Sequence, residues 1–184
     1  MRRCLQALLV VLPLALPPPA AGDQADRRLD GLFERLAGST DPATVHDIES
    51  KIWSIWAVST DPRTNEMMAY GLAAMRARAY AIALQHFDAV VAYEPGFAEG
   101  WNKRATVLFI LGNYQSSVDD IKRTLALERR HFGALSGLGM CYDALDDKAG
   151  ALKAYRLAIG VHPHLPSVRA RIEALERELG GRAI

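Results

Sequence analysis

Residues Trp101–Leu125 read WNKRATVLFILGNYQSSVDDIKRTL, and their apolar side chains recur every three or four residues on both sides of Gly112-Asn113. This spacing is typical of amphipathic helices, because it places the apolar groups on one helical face. The pair Gly112-Asn113 interrupts the pattern in the way that a tight turn does. The stretch therefore predicts a helix, a short turn and a second helix that runs back against the first.

The same pattern returns at an offset of 34 residues on either side of this stretch. Large apolar residues align with large ones, and small residues align with small ones. The aligned columns are Met67, Trp101 and Leu135; Gly71, Ala105 and Gly139; Ala83, Ser117 and Ala151; and Phe87, Ile121 and Tyr155. Small residues in two of these columns would let the helices of a hairpin cross closely. We therefore predict three helical hairpins, at 64–97, 98–131 and 132–165.

Further helices are predicted at both ends of this array. Asp41-Pro42 and Asp61-Pro62 are typical helix starts, with an N-cap carboxylate followed by a first-turn proline. Residues 23–63 are accordingly interpreted as another helical hairpin, either a degenerate repeat or an N-terminal cap. The apolar stripe Val168, Ile172, Leu175 and Leu179 predicts a capping helix within 166–184.

The first 22 residues have the layout of a secretory signal peptide. Arg2-Arg3 is followed by a short apolar run at 4–16, and Ala20-Ala21-Gly22 offers small residues for cleavage. The apolar run is shorter than the roughly 20 residues that span a bilayer. We therefore expect export to the periplasm of a bacterial envelope, with cleavage after Gly22 and no stable membrane span afterwards. Retention of the segment as an uncleaved anchor is the alternative.

The overall charge gives no sign of a nucleic-acid partner. The chain holds 22 basic and 21 acidic side chains, for a formal net charge of +1. A protein that follows the phosphates of nucleic acid needs a basic excess. We therefore expect no nucleic acid among its partners.

The repeat resembles the tetratricopeptide repeat (TPR). The resemblance is carried by Trp101–Ser117 in the second copy and by Leu135–Pro163 in the third copy, whereas Arg78, Arg104 and Arg129 depart from the family pattern. Phe97–Asn102 and His131–Ser136 are similar to uncharacterised exported bacterial proteins of this family. The resemblance implies an all-α fold, a right-handed α-solenoid of stacked antiparallel helix hairpins that forms a superhelix.

The resemblance also implies a concave groove on the inner face of the superhelix, where such proteins bind peptides. The positions that correspond to this groove, and that we predict as its lining, are Met68, Leu72, Met75, Asn102, Thr106, Phe109, Met140 and Asp143. Chaperone-tail binders of the family present Lys and Asn there to hold a terminal carboxylate, and this chain has Met, Leu and Thr instead. The groove is therefore expected to favour an apolar peptide or an amphipathic helix. The chain's own N-terminal residues could cover part of it.

Residues with catalytic or metal-binding potential have simpler interpretations. His162 and His164 could bind a metal, but no third ligand is apparent in the sequence. Cys141 is expected to be an inert core thiol. Asp119 and Asp120 are adjacent and so point in different directions from a helix, which predicts a solvated face rather than a carboxylate pair. Trp53 and Trp56 are expected to pack within the N-terminal hairpin.

The sequence predicts a non-catalytic adaptor that binds a protein or peptide in an apolar groove, with no cofactor and no metal. The alternative is a structural subunit of a homo-oligomer or of a permanent envelope complex.

Overall fold

The computed structural model describes residues 26–180, so the predicted signal peptide at 1–22 lies outside the described residues. All elements within this range are α-helices. They are α1 (Arg28–Gly38), α2 (Pro42–Trp56), α3 (Pro62–Arg76), α4 (Tyr80–Tyr93), α5 (Ala98–Ile110), α6 (Tyr114–Leu127), α7 (Phe132–Ala144), α8 (Lys148–Val161) and α9 (Pro166–Gly180).

Helices α3 to α8 form three antiparallel hairpins that stack in chain order into a right-handed α-solenoid. Each of these helices packs against the next along the chain, and α9 packs against α8 at the end of the stack. The first helix of each hairpin belongs to the inner layer, where α5 also contacts α7 directly. The second helices, α4, α6 and α8, form the outer layer. The predicted fold class is confirmed.

Close helix crossings within the hairpins depend on small residues, as the sequence columns indicated. A Cβ atom added to Gly71 would lie 2.6 Å from the ring of Phe87, and one added to Gly139 would collide with the ring of Tyr155. In the middle hairpin the equivalent position is Ala105, whose carbonyl accepts a hydrogen bond of 2.8 Å from Ser117 Oγ. The column of small residues (Gly71, Ala105, Gly139) therefore packs against the column of large ones (Phe87, Ile121, Tyr155) where the two helices of a hairpin cross.

The turn inside each hairpin needs a residue in the left-handed backbone region. Arg78, Gly112 and Asp146 occupy equivalent positions with φ values of 57°, 80° and 58°. Glycine adopts this conformation without strain, whereas an L side chain raises its energy. Arg78 and Asp146 thus show that the stack tolerates two strained turns where the family pattern has glycine.

The N-terminal hairpin, α1 and α2, does not stack in front of α3. Its apolar side chains form one core cluster with Phe132 and the partly buried Val161, which belong to the third repeat. The core cluster around α3 and α4 includes no residue of α1 or α2. The predicted hairpin within 23–63 is therefore present as α1 and α2, and it lies against the third repeat. The apolar face of α2 packs against the aromatic groups at the start of α7 instead.

Helix α9 closes the other end of the stack. Val168 and Leu175 are buried against Tyr155 and Ala158 of α8. Arg171 of α9 also donates two hydrogen bonds of 2.7 Å to the carboxylate of Asp143 on α7. The apolar stripe seen in the sequence thus faces the last repeat, and a polar contact reaches the inner layer.

Candidate binding groove

A cavity of about 180 Å³ lies on the inner face between α5, α6 and α7. Four predicted groove residues line it together with small residues of all three helices. The full lining is Asn102, Ala105, Thr106, Phe109, Ser117, Ile121, Gly133, Ser136, Gly137, Met140 and Cys141. The structure therefore brings Asn102, Thr106, Phe109 and Met140 to a single site.

The hydroxyl groups of the cavity donate their hydrogen atoms to the protein's own backbone. Their bonds run from Thr106 Oγ1 to Asn102 O at 2.9 Å, from Ser117 Oγ to Ala105 O at 2.8 Å, and from Ser136 Oγ to Phe132 O at 2.8 Å. A buried polar group whose hydrogen is already bonded does not require a polar ligand. The cavity therefore offers a mainly apolar lining despite its serine and threonine residues.

Large apolar side chains surround the mouth of the cavity. Met140, which lines the cavity, is 46% exposed. The half-buried ring of Phe109 lies at 5.3 Å, centroid to centroid, from the ring of Tyr114. An exposed methionine that lines the same cavity as an aromatic side chain offers an adaptable apolar surface. An apolar group that enters from the inner face would contact these residues first.

The other four predicted groove residues do not line the cavity. Met68 is only 3% exposed and belongs to the core between α3 and α4. Leu72 and Met75 are partly buried against the same core. Asp143 binds Arg171 of the capping helix and accepts a bond of 3.3 Å from the Tyr155 hydroxyl. Met68 and Asp143 are therefore structural residues, and the cavity is confined to the second and third repeats.

A buried charged cluster at the start of α5 and α7 was missed by the sequence analysis. Glu99 accepts bonds from His131 Nε2 at 3.0 Å, from Lys103 Nζ at 2.8 Å and from Asn102 Nδ2 at 2.8 Å. Burial opposes ionisation of Glu99, but the His131 hydrogen bond and the Lys103 charge outweigh it, so the pKa of Glu99 is lowered. Glu99 and His131 are 32 residues apart, which is not the repeat period, so no periodic signal connects them.

His131 holds this cluster in one orientation. Its Nδ1 atom accepts a hydrogen bond of 3.1 Å from the backbone N–H of Ala134, so it caps α7. A neutral imidazole that accepts at Nδ1 carries its hydrogen at Nε2. His131 therefore donates from Nε2 to Glu99 and connects the two inner helices beside the cavity.

The N-terminal hairpin packs on this cluster and borders the cavity. Trp56 stacks on the ring of His131 at 4.2 Å, and Trp53 meets the ring of Phe132 edge-on at 5.4 Å. Trp53 also covers Gly133, since a Cβ there would lie 2.7 Å from the indole. Lys103 lies 5.5 Å above the Trp53 ring. One end of the inner face is therefore covered by the chain itself.

Comparison with known proteins identifies the repeat. No family model matches the chain. A TPR repeat-containing protein of Rhizobium etli is 32% identical over 161 residues, which cover 88% of this chain and 79% of that protein. This chain belongs to the tetratricopeptide-repeat family.

Solved TPR structures agree with the fold. A crystal structure of MamA matches 85% of this chain and 84% of its own chain, with a TM-score of 0.62 and 19% identity. The first TPR domain of Spaghetti (RPAP3), bound to the HSP90 peptide SRMEEVD, matches 64% of this chain and 93% of its own, with a TM-score of 0.62 and 19% identity. At this level of identity the likeness concerns the fold alone.

This chain has an arginine, Arg104, at a position where the TPR pattern has an apolar residue. The structure shows which groups Arg104 binds. Arg104 donates two hydrogen bonds of 2.7 Å to Asp120 on α6 and one of 3.0 Å to Asp88 on α4. The prediction of a solvated face at Asp119-Asp120 is therefore right for Asp119, which is 65% exposed, and wrong for Asp120, which is 6% exposed. The charge on Arg104 ties three helices together.

His162 and His164 do not have the arrangement that a metal site needs. His162 Nδ1 accepts from the backbone N–H of His164 at 3.2 Å, so its hydrogen lies on Nε2, which points toward Glu49 at 3.8 Å. The other imidazole, His164, bonds the carbonyl of Leu36 at 3.2 Å. Within residues 26–180 no group of three His, Cys, Asp or Glu side chains could hold a metal ion. Both histidines contact the N-terminal hairpin instead.

Cys141 lies at the floor of the cavity. Its thiol donates to Ser117 Oγ at 3.2 Å, and burial raises the pKa of the thiol. A raised pKa makes a thiol a poor nucleophile at neutral pH. The expectation of a core thiol agrees with this environment.

No helix within residues 26–180 is long and apolar enough to cross a membrane.

Proposed function

We propose that this TPR protein is a non-catalytic adaptor that binds an apolar segment of a protein or peptide on its inner face. The observation that carries the proposal is the cavity between α5, α6 and α7, whose hydroxyl groups are already hydrogen-bonded within the chain. The exposed side chain of Met140, which lines the cavity, offers additional apolar contact. A partner would insert one apolar side chain and lie along the helices on either side.

The size of the cavity supports one apolar anchor. An apolar cavity of about 150 Å³ holds a benzene molecule in another protein, and this cavity measures about 180 Å³. A leucine, methionine or phenylalanine side chain therefore fits. Burying such a side chain contributes about 1.5–3 kcal/mol, which can dominate a modest interaction.

The ligand proposed here differs from a chaperone tail. The RPAP3 domain carries an HSP90 peptide on the same fold, which supports a peptide as the class of ligand. The resemblance places Lys and Asn at the carboxylate clamp of chaperone-tail binders, whereas this chain has Met68, Leu72, Thr106 and Met140 at those positions. We therefore propose recognition through an apolar side chain rather than through a terminal carboxylate.

We also propose that the protein works in the periplasm of a bacterial envelope after loss of residues 1–22. The support is the layout of Arg2-Arg3, the apolar run and Ala20-Ala21-Gly22. The intact mass of the protein recovered from the envelope should correspond to a chain without these residues. Recovery of the complete chain from the cytoplasm would contradict the proposal.

The binding proposal is tested by the double variant Phe109→Ser, Met140→Ser. It should weaken capture of the native partner and leave the helical circular dichroism signal nearly unchanged, because both side chains are partly exposed. The matched control is Leu127→Ser, Leu157→Ser, which removes two exposed apolar residues of the outer layer. The proposal fails if the groove variant retains its partner, or if the outer variant loses it equally.

A core control separates binding from folding. Val107→Ser alters a fully buried residue two positions from Phe109, and it should lower the melting temperature strongly. If the groove double variant unfolds in the same way, the two groove residues belong to the core. Light scattering of the unmodified protein distinguishes the structural-subunit alternative, which requires a stable oligomer with the groove covered.

A further inference from the structure

We infer that the N-terminal hairpin, residues 26–56, is a hinged cover that occupies one end of the inner face and opens as a unit to extend the groove. The inference rests on the proposed function, because it describes the regulation of the same site. Four features of the structure support it: the overlap with the cavity, the absence of a core shared with the first repeat, the hinge and the polar contacts of the seam.

The hairpin and the cavity share a residue. Gly133 lines the cavity, and the indole of Trp53 lies directly over it. On the same side, Asn102 lines the cavity and donates to Glu99, which binds Lys103 beneath the Trp53 ring. A partner that extends from the cavity toward the start of α7 therefore meets α2, and must either stop there or displace it.

The hairpin shares no core with the first repeat. Leu29, Leu36, Ile48 and Ile52 are fully buried in the cluster that also contains Phe132 of the third repeat, whereas the cluster around α3 and α4 includes no residue of α1 or α2. Trp53 and Trp56 join the hairpin to the start of α7 by packing on His131, Phe132 and Gly133. Movement of the hairpin away from α7 therefore leaves the packing of α3 and α4 unchanged.

The connection to the first repeat provides a hinge of two residues. Ser59 is fixed to the repeats, since its Oγ donates to Glu94 at 2.6 Å and its backbone N–H donates to Asn65 Oδ1 at 2.8 Å. Helix α2 ends at Trp56, so Ala57 and Val58 alone join it to this anchor, and both are exposed. A rotation at these two residues moves the hairpin without disturbing α3.

The seam between hairpin and repeats is imperfectly hydrogen-bonded. Trp56 Nε1 and His162 Nε2 are buried there without a hydrogen-bond partner within the part of the chain that the structure describes. The polar contacts that do cross the seam include the ion pair between Asp30 and Arg130 at 2.7 Å, at the solvent edge, and the bond between His164 and the Leu36 carbonyl at 3.2 Å. Opening would hydrate both buried N–H groups, so the closed state is less favoured than its aromatic packing alone suggests.

Hydrogen exchange with mass spectrometry on the whole protein tests the cover. Asp30→Arg places two like charges at the seam, while Asp47→Arg makes the same change on the outer side of α2, where Asp47 pairs with Lys51. We expect Asp30→Arg to speed exchange of the amides of α1 and α2 by about fivefold, the effect of losing a surface ion pair. Exchange in α3, α4 and α8 should stay unchanged, and Asp47→Arg should have no such effect.

The result separates this inference from the proposed function. If the hairpin amides exchange only together with those of α7 and α8, or if both variants act alike, the hairpin is a fixed part of the core and the inference is overturned. That outcome leaves binding at Phe109 and Met140 untouched. If instead the Phe109→Ser, Met140→Ser variant retains its partner while hairpin exchange is as expected, the proposed function alone is overturned.

Discussion

At the scale of single residues, Gly139 shows how closely the helices of a repeat approach. Its position faces the ring of Tyr155, so any Cβ there displaces the ring. Gly160, in the neighbouring helix α8, has open space around it. Substitution by alanine should therefore change the stability of the fold in opposite directions at the two glycines, although both lie in helices.

Gly139→Ala should destabilise the fold by roughly 1–3 kcal/mol, because overpacking outweighs the better helix propensity of alanine. Gly160→Ala should raise stability by up to about 1 kcal/mol, since it gains propensity without a clash. Urea unfolding of the two variants measures both values. Equal midpoints would show that the helix crossing is not where the structure has it.

Asp120 is the second residue whose role depends on its surroundings. Asp120→Asn leaves Arg104 without its two-bond partner, and should cost about 2 kcal/mol because the site is largely buried. Asp119→Asn changes the adjacent exposed carboxylate and should alter stability by less than about 0.5 kcal/mol. Thermal melting of both variants checks this, and similar losses would argue against the ion pair.

At the scale of elements, the capping helix α9 protects the last repeat. Deletion of 167–184 removes the buried Val168 and Leu175, which together contribute roughly 3–6 kcal/mol at 1.5–3 kcal/mol each. We expect a lower melting temperature and aggregation, because the apolar surface of α8 becomes exposed. Arg171→Ala, which keeps the helix and removes its contact with Asp143, should have a smaller effect. An unchanged melting temperature after deletion would contradict the cap.

The seam between the N-terminal hairpin and the repeats should respond to acid. Burial lowers the pKa of His162 from its ordinary value of 6.5, the Glu49 carboxylate offsets this only partly, and the nearby His164 lowers it further. A histidine with a lowered pKa in the folded state favours opening or unfolding once the pH falls below about 6.5. The stability contributed by neutral His162 is therefore present above this pH and decreases below it.

The substitution His162→Asn isolates this effect, because its Oδ1 atom can accept the His164 N–H in place of Nδ1. Between pH 7.5 and 5.5, stability should fall less in the variant than in the unmodified protein. Tryptophan fluorescence reports on the seam through Trp53 and Trp56, which are two of the three tryptophans in the chain. Equal pH dependence in the two proteins would show that His162 is not the group responsible.

At the scale of the whole molecule, the 34-residue period made the solenoid predictable from sequence. The column of Phe87, Ile121 and Tyr155 is buried as expected, because each repeat packs side chains of similar size at the same position. The N-caps Asp41 and Asp61 were likewise predictable from the sequence, since a helix cap depends only on residues close to it in the chain. Periodicity and local rules thus predicted the stack and its helix starts.

Contacts that break the period were not predictable. Trp56 is 75 residues away from His131, and no repeat column relates the two positions. The hairpin therefore looked like a further repeat, while its packing surface is assembled from turns of the third repeat. Four of the eight predicted groove residues do not line the cavity for the same reason. Family positions indicate which face of a helix a residue lies on, but not that Met68 is buried in the core or that Asp143 forms an ion pair with Arg171.

The central claim is that an apolar segment of a partner lies between α5 and α7, and site-specific photo-crosslinking tests it most directly. A photoreactive phenylalanine analogue at position 140, at the mouth of the cavity, should yield an adduct with the native partner. The same analogue at position 157, an exposed apolar site on the outer helix α8, should not. Phe109→Ser in the same chain should abolish the adduct at position 140. An adduct at position 157, or one at position 140 that persists with Phe109→Ser, would contradict the account.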